Sequence, residues 1–406
     1  MNKFRILHTS DWHIGQRLHG KDRHQEHEYF FQWLLRTLTE QHIDLLIIAG
    51  DIFDVGYPSN QALKQYYNFL SRCNATCSTQ IVITGGNHDY ISTLNAPKPL
   101  LESLNITVIG GASADYTKEL IPIEKDNKLL GYVCAIPYLR DKDIRQSVAG
   151  ENYDDRIKAT RNGIAEYYKR IADYAQTSNI NNLPVIATGH LYMAGASTSE
   201  SEREIQMGNE AAFKWDAFPQ TFDYVALGHI HRPQKVAQQE HVRYSGSPIP
   251  LSFSERKDTK QVVLVEFDTE KQISIQSIEV PIERKLISFS GTLAEVKEAI
   301  KVHKSANQLT DWAETRVTEP QYDPILIAEY KELLEESFDV EIVKPSISFT
   351  DRIKGVSALY EEQPALSDLT NTEVFEKLLE RSNFDQTEEL MGSYKELVQS
   401  VFDKEQ

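Results

Sequence analysis

Along the first half of the chain, short apolar runs closed by glycine or a polar residue alternate with longer stretches whose apolar side chains recur every three or four positions. FRILHTS, IDLLIIAG, STQIVITGG, NITVIGG, LLGYVCAIPY, PVIATGH and DYVAL predict buried strands, rich in Ile and Val. QEHEYFFQWLLRTLTEQ, NQALKQYYNFLSRC and DDRIKATRNGIAEYYKRIADYAQ predict amphipathic helices. Strand followed by helix, repeated, predicts an α/β domain with largely buried sheets, in which ligand-holding loops gather at the strand C-termini.

The pattern changes after SIEVPIERK. Residues 286 to 347 read strand, helix, strand, helix, strand (LISFSG, TLAEVKEAIKVHKS, WAETRVTE, PILIAEYKELLEES, VEIVKPSIS), a small α+β domain. SFTDRIKGVSALYEEQPALSDLT follows as a polar linker. From Asn371 onward, two amphipathic helical stretches flank SNFDQ, and such a helix pair docks either on its own domain or on a partner.

The residues just after the predicted strands form a consistent set. The first strand runs into SDWHIG, with Asp11 and His13, and the second into GDIFD, with Asp51 and Asp54. The third runs into GGNHD, with Asn87, His88 and Asp89. A later strand ends in TGH at His190, and DYVAL runs into GHIH, with His229 and His231. Singly, each has an ordinary explanation: GD and GNHD suit turns, and a lone histidine is often a satisfied core residue. GHIH says more, because alternate strand positions carry both imidazoles to one face. Five such ends, each beside a small residue that lets backbone approach closely, point to one shared site.

The donor types define the chemistry. No cysteine takes part, which disfavours a thiolate zinc site, whereas carboxylate, amide oxygen and imidazole together suit Mn²⁺, Fe²⁺ or Zn²⁺. The donors are too many for one ion, so two are expected, bridged by a carboxylate and clamping both ends of an in-line phosphoryl displacement. Water acidified by the ions would be the nucleophile. A neutral oxygen from Asn87 limits negative charge where a phosphodiester anion must arrive, and leaves His88 to face the substrate or its leaving group.

Composition adjusts this picture little. The 406 residues suffice for two or three domains, and 40% hydrophobic with 25% charged residues is ordinary for a globular protein. Cys73, Cys77 and Cys134 are too few for a disulfide scaffold and suit a reducing compartment, and no apolar leader or membrane span is expected. The net charge of −17 argues against nucleic acid only if it is even, and residues 360–406 alone hold twelve acids against four bases. Near the start, HIGQRLHGKDRHQEH leans basic. Its Arg17, His19, Lys21, Arg23 and His24 form either a grip on DNA phosphates beside the site or a solvated loop. Composition leaves the role of SESERE, around Arg203, open.

DWH, GDIFD, GNHD, TGH and GHIH, in this order, resemble the calcineurin-like metallophosphoesterase superfamily. ILHTSDWHIGQ, AGDIFDVGYPS, IATGHLYMAGASTSESER, ALGHIHRPQ and HVRYSGSPIPLSF resemble the bacterial SbcD nuclease-subunit family, and the similarity covers nearly the whole chain. The resemblance implies a calcineurin-like β-sandwich flanked by helices in four layers. It divides the chain into a nuclease domain (1–281), an α+β capping domain that positions DNA (282–348), a linker (349–370) and a helical ATPase-binding tail (371–406). It assigns Asp11, His13, Asp51 and His231 to one Mn²⁺, and Asp51, Asn87, His190 and His229 to the other. His88 would stabilise the transition state or protonate the leaving oxygen. Asp54 stands where archaeal and eukaryotic relatives place a histidine, so its role stays open between supporting the ligands and facing the substrate. Asp89 either orients His88 or caps the following helix.

The activities implied are double-strand exonuclease and single-strand or hairpin endonuclease, serving DNA repair, recombination and replication. They would be controlled by an SbcC-type coiled-coil ATPase bound through the tail, in a cytoplasmic, nucleoid-associated assembly with a homodimer of this chain. A phosphoesterase acting on a non-DNA ester, and a non-catalytic scaffold, are the alternatives. The intact donor set opposes the scaffold, and the basic loop, cap and tail oppose the small-ester enzyme.

Overall fold

Near-continuous burial from Phe4 to His13, broken only at Arg5, takes the chain through the centre of a sheet and directly into the loop that carries the first candidate donors. The computed structural model describes residues 3–77, 79–146, 150–206 and 209–350 and, in the C-terminal stretch, 372, 375, 376, 378, 379 and 387–405. Two units form, Met1–Arg17 with Asp22–Pro281 and Val398–Gln406, and Leu18–Lys21 with Ile282–Leu397.

In order, the chain runs β1 (Phe4–Thr9), β2 (Arg17–Leu18), β3 (Lys21–Asp22), α1 (His24–Glu40), β4 (Leu45–Ala49), α2 (Asn60–Thr76), β5 (Gln80–Thr84), α3 (Ile91–Asn95), α4 (Lys98–Glu102) and β6 (Ile106–Ile109). It continues with β7 (Leu120–Lys125), β8 (Lys128–Cys134), α5 (Asp141–Ile144), α6 (Tyr153–Ser178), β9 (Val185–His190), β10 (Tyr224–Gly228), β11 (Gln234–Lys235), β12 (Val242–Tyr244), β13 (Gln261–Phe267) and β14 (Ile273–Glu279).

One six-stranded sheet has the order β14-β13-β1-β4-β5-β6, the other β11-β12-β10-β9-β8-β7. In each, four adjacent strands run parallel; β13 joins the first set antiparallel to β1, with β14 beyond it, and β7 and β11 flank the second set antiparallel. A core of Ile6, Leu45, Ile47, Val82, Val133, Ile186, Tyr224, Ala226, Val263 and Val265 lies between the sheets. The opposite face of the first sheet is covered by Phe30, Phe31, Leu34, Tyr66 and Phe69 from α1 and α2, and that of the second by Ile164, Tyr168 and Ile171 from α6. Helix, sheet, sheet, helix is the four-layer calcineurin-like arrangement expected. Two of the helices start at side-chain caps: Ser59 accepts from Ala62 N–H at 3.2 Å before α2, and Asn152 from Asp155 N–H at 2.9 Å before α6.

The second unit contains β15 (Leu286–Gly291), α7 (Leu293–Val302), β16 (Asp311–Glu319), α8 (Pro324–Glu335) and β17 (Val340–Phe349). Its three strands are parallel in the order β15-β16-β17, so two strand–helix–strand crossovers build it. Ala313 and Val317 of β16 pack with Leu293, Val296, Ile300, Tyr330 and Leu333. Trp312, on the other side of the same strand, lies under the Arg284 guanidinium at 4.0 Å.

Of the expected linker, residues 351–370 lie outside the described residues, as does most of the first tail helix. The second stretch is a helix, Thr387–Glu405. Phe375 stacks on its Tyr394 at 4.0 Å, and Gln399 donates to Tyr138 Oη at 3.0 Å. Among the described residues, no helix is long and apolar enough to cross a membrane.

Candidate metal centre

The C-terminal ends of β1, β4, β5, β9 and β10 meet where the two sheets face each other. His190 Nδ1 donates to the Ala49 carbonyl at 3.0 Å, and His229 N–H donates to Asp11 Oδ1 at 2.8 Å, so each sheet is tied to the other at this rim. Beyond the strands the loops continue to pair, with Asp11 N–H on the Gly50 carbonyl and His13 N–H on the Asp51 carbonyl, both at 3.0 Å. Trp12, between the two candidate donors, is fully buried among Phe30, Phe31 and Phe69, and its indole donates to Thr9 Oγ1 at 3.0 Å. It anchors the turn from the core side while its neighbours face the site.

That turn is strained. Asp11, His13 and Asp51 have φ of +53°, +47° and +51°, and His229 has +97°. Non-glycine residues enter this region at a cost of about 1–3 kcal/mol each, and such strain concentrates where geometry serves function. Close approach is enforced as well: a Cβ on Gly50 would overlap the His190 ring, and one on Gly86 would overlap the Asp51 carboxylate.

Seven donor side chains converge in the space so defined, all buried. The Nε2 atoms of His13 and His231 are 3.1 Å apart. Asp51 Oδ2 is 3.3 Å from His190 Nε2 and 3.6 Å from His13 Nε2. Asn87 Oδ1 is 2.9 Å from His190 Nε2 and 3.2 Å from His229 Nδ1. Asp11, His13 and His231, then His13, Asp51 and His88, then Asp11, Asp51 and His190 each bring donor atoms within 4.8 Å of one another. Asp51 belongs to two of these groups and reaches toward the Asn87 side through His190, as a bridging carboxylate must.

The outer atoms of the donors are held in place. Asp54 Oδ1 accepts from His13 Nδ1 at 3.2 Å, and Ser201 Oγ lies 2.6 Å from His231 Nδ1. Ser201 also bonds Glu255, whose other oxygen is 2.5 Å from the ammonium of Lys260. Lys260, fully buried, donates further to the His231 carbonyl and to Ser247 Oγ. Glu202 accepts from His231 N–H at 2.9 Å. Outer-shell acceptors of this kind fix the tautomer of a ligating imidazole and aim its other nitrogen inward.

The protonation pattern marks a shortage of positive charge. Burial lowers His13 and His190, but the Asp51, Asp54 and Asp11 carboxylates outweigh it and carry both to about 9. Burial likewise opposes ionisation of Asp51, and the surrounding imidazoles hold it well below the usual range. His229 falls well below its ordinary value through burial and the charge of His190, and its Nε2 has no hydrogen-bond partner. Carboxylates that draw protons onto buried imidazoles, together with nitrogens aimed at one another, form a donor set suited to divalent cations.

His88 differs from the rest. Its Nδ1 donates to the Asp54 carbonyl at 2.7 Å, its ring meets His13 edge-on at 4.6 Å, and burial pushes its pKa to about 3. The ring is therefore neutral, with its lone pair on Nε2. Arg203, exposed, is close enough for its charge to act on both Asp54 and His88.

Two sequence expectations need correction. Arg23 does not belong to a phosphate-gripping surface: it is buried, forks onto Glu26 at 2.6 and 2.7 Å and donates to Gln16 and the Pro250 carbonyl. Arg17 and His19 are exposed, and Lys21 pairs with Glu341 at 2.6 Å. Asp89 neither orients His88 nor caps a helix. Its carboxylate accepts from Ile52, Phe53 and Gly86 N–H at 2.9–3.1 Å and so binds two donor loops together, while burial and nearby Asp51 raise its pKa to about 6. Asp54, whose sequence leaves two roles open, supports His13 with its side chain and His88 with its carbonyl. Ser201 lies within SESERE, whose role composition leaves open, whereas Glu255 and Lys260 give no signal in the sequence.

A calcineurin-like phosphoesterase family model matches residues 4–233, and one described as a type 5 capsule protein repressor C-terminal domain matches residues 283–383. The fold, the donor set and the first match define a calcineurin-like phosphoesterase. The chain is 36% identical over 387 residues to the SbcD subunit of nuclease SbcCD from Escherichia coli (strain K12), covering 95% of each. It is 40% identical over 262 residues to the protein of that name from Rhodobacter capsulatus, covering 62% of this chain and 63% of that one. With the Bacillus subtilis protein it shares 29% over 312 residues, covering 76% and 78%. The chain belongs to the SbcD family of nuclease subunits.

Proposed function

We propose that this chain is the nuclease subunit of an SbcCD-type complex and hydrolyses DNA phosphodiester bonds with two divalent cations, for which the donors suit Mn²⁺, Fe²⁺ or Zn²⁺ and the family resemblance favours Mn²⁺. The observation that carries this reading is the convergence of seven buried donors from five strand ends, with imidazole nitrogens aimed inward by Asp54 and Ser201. Asp11, His13, Asp51 and His231 would hold one cation, and Asp51, Asn87, His190 and His229 the other. Cations there would neutralise the phosphate and make a water acidic enough to attack it.

The chain's own groups do the rest. Asp51 spans the two donor sets, and Asn87 adds an oxygen without adding charge. His88, fixed by the Asp54 carbonyl, presents Nε2 to the phosphate, where binding of an anion raises its proton affinity and lets it donate to a developing oxyanion or leaving oxygen. Double-strand exonuclease and single-strand or hairpin endonuclease activity, under the control of an SbcC-type ATPase docked on the C-terminal helices, fits the family. So do homodimerisation, a DNA-positioning role for residues 282–348, and a cytoplasmic, nucleoid-associated setting for DNA repair, recombination and replication.

The test is cleavage of labelled duplex, hairpin and single-stranded DNA by the full chain with Mn²⁺, with and without the ATPase and ATP, beside a phenyl phosphodiester. DNA cleavage that rises with the partner and ATP and stops on chelation is expected. Turnover of the small ester with no DNA cleavage under any of these conditions would instead make the chain a phosphoesterase of another substrate.

A further inference from the structure

Two tyrosines stand at the edge of the metal-loop pair without entering it. Tyr57 is 76% exposed, more than any other aromatic ring among the described residues of this unit, and lies 4.8 Å from the ring of Tyr90 at 32°. Tyr57 follows Asp54 by three residues, and Tyr90 follows His88 by two. The two segments are joined directly, since His88 Nδ1 donates to the Asp54 carbonyl, Thr93 Oγ1 donates to the Gly56 carbonyl at 3.2 Å and the Tyr90 ring lies over Gly56.

The loop is therefore stiff. Asp54 N–H is held by the Ile14 carbonyl and Ser59 caps α2, so the chain between them is fixed at both ends. Val55, 47% exposed, adds a second apolar side chain to the same turn. A loop that needed only its own packing would bury the outer ring. This one holds it in solvent, with the Tyr90 ring tilted against it at 4.8 Å.

We propose that Tyr57, backed by Tyr90, is a stacking platform for an unpaired nucleobase beside the scissile phosphate. The proposal rests on the phosphodiesterase reading of the site and adds the form of the substrate. An aromatic face accepts any base, irrespective of sequence, but only one that has left its own stack, because a base within a duplex has both faces covered. The strand cut at this site is thus single-stranded, frayed or looped at the nucleotide next to the cut.

The experiment uses the full chain with Mn²⁺, single-stranded oligonucleotides carrying one abasic nucleotide at successive positions, and Tyr57→Ala and Tyr57→Phe variants. Tyr57→Ala should raise KM for the intact oligonucleotide roughly tenfold, the scale of one lost base stack, with Tyr57→Phe close to wild type. One abasic position should cost the wild-type protein a similar factor and cost Tyr57→Ala nothing further. An unchanged KM and the same abasic profile in Tyr57→Ala would overturn the platform while leaving the nuclease standing. So would a loss in Tyr57→Ala that is equal at every abasic position and accompanied by a lowered Tm. If wild-type protein turns over a chromogenic phosphodiester but cuts no DNA, the DNA reading falls and the platform with it.

Discussion

The Nε2 atoms of His13 and His231 face each other at 3.1 Å inside a buried site. With Nδ1 of His13 turned to the Asp54 carboxylate and Nδ1 of His231 to Ser201, neutral rings would point two lone pairs at each other. Either a proton or a cation must stand between them. Strained backbone at Asp11, His13, Asp51 and His229 surrounds this contact, and a cation between the rings would relieve it.

Metal should therefore stabilise the fold. Mn²⁺ at a hundredfold excess over its Kd is expected to add about 2.7 kcal/mol for each site it fills, several degrees in Tm, relative to a chelated sample. Asp51→Ala should abolish the shift and leave less than one bound ion per chain by elemental analysis, because Asp51 serves both donor sets. Two tightly bound ions in that variant would remove Asp51 as the bridge.

Substitution of His88 should separate binding from chemistry. The His88 Nδ1 bonds the Asp54 carbonyl, and its backbone N–H, which a side-chain substitution keeps, donates to Asp51 Oδ1 at 2.8 Å. His88→Asn should lower kcat by about 10²–10⁴-fold while the metal content stays at the wild-type level. Loss of both ions in His88→Asn would show that it is a ligand, as its place beside His13 and Asp51 also permits.

The pair Glu255 and Lys260 supports His231 from a fully buried position. Glu255→Gln leaves the Lys260 ammonium without its counter-charge, and breaking a buried pair this way costs about 3–5 kcal/mol. Urea titration should read this as a lowered midpoint. Adding Lys260→Met to Glu255→Gln should recover part of the loss, since an unpaired buried charge is costlier than none. A double variant less stable than Glu255→Gln alone would mean that Lys260 matters through its bonds to the His231 carbonyl and Ser247 rather than through the pair.

Strand ends are legible in the sequence because β1, β4, β5, β9 and β10 are short apolar runs that stop at glycine or polar donors, a local pattern. Pairing is not. QVVLVEF forms β13 beside β1, and Phe4 opposite Phe267 is a partnership between the two ends of a domain that no periodicity encodes. Arg23 misleads for a related reason. Its basic neighbours suggest an exposed loop, although Glu26 three residues on gives it a partner at the start of α1. The brace of Ser201, Glu255 and Lys260 gathers from separate loops and looks, in sequence, like ordinary polar surface.

Glu119 offers a pH signature away from the metal donors. Its Oε1 accepts from Tyr167 Oη and Ser113 N–H, both at 2.7 Å, while Oε2 is buried without a partner. Burial, opposed by these bonds and by Arg170, raises its pKa to about 7. A carboxyl whose folded pKa lies above its unfolded value stabilises the fold fully below the unfolded pKa of 4.5, and that contribution is lost as pH rises through 7. In this window stability should fall by about 1.4 kcal/mol per pH unit on account of Glu119 alone. Glu119→Gln keeps the accepting oxygen and removes the charge. Its unfolding free energy should match wild type near pH 4.5 and exceed it by roughly 3 kcal/mol at pH 8, measured in urea with chelator present. Curves that stay parallel across the window would show that the carboxylate is ionised in the fold at no cost, and that Tyr167, Ser113 and Arg170 satisfy it in full.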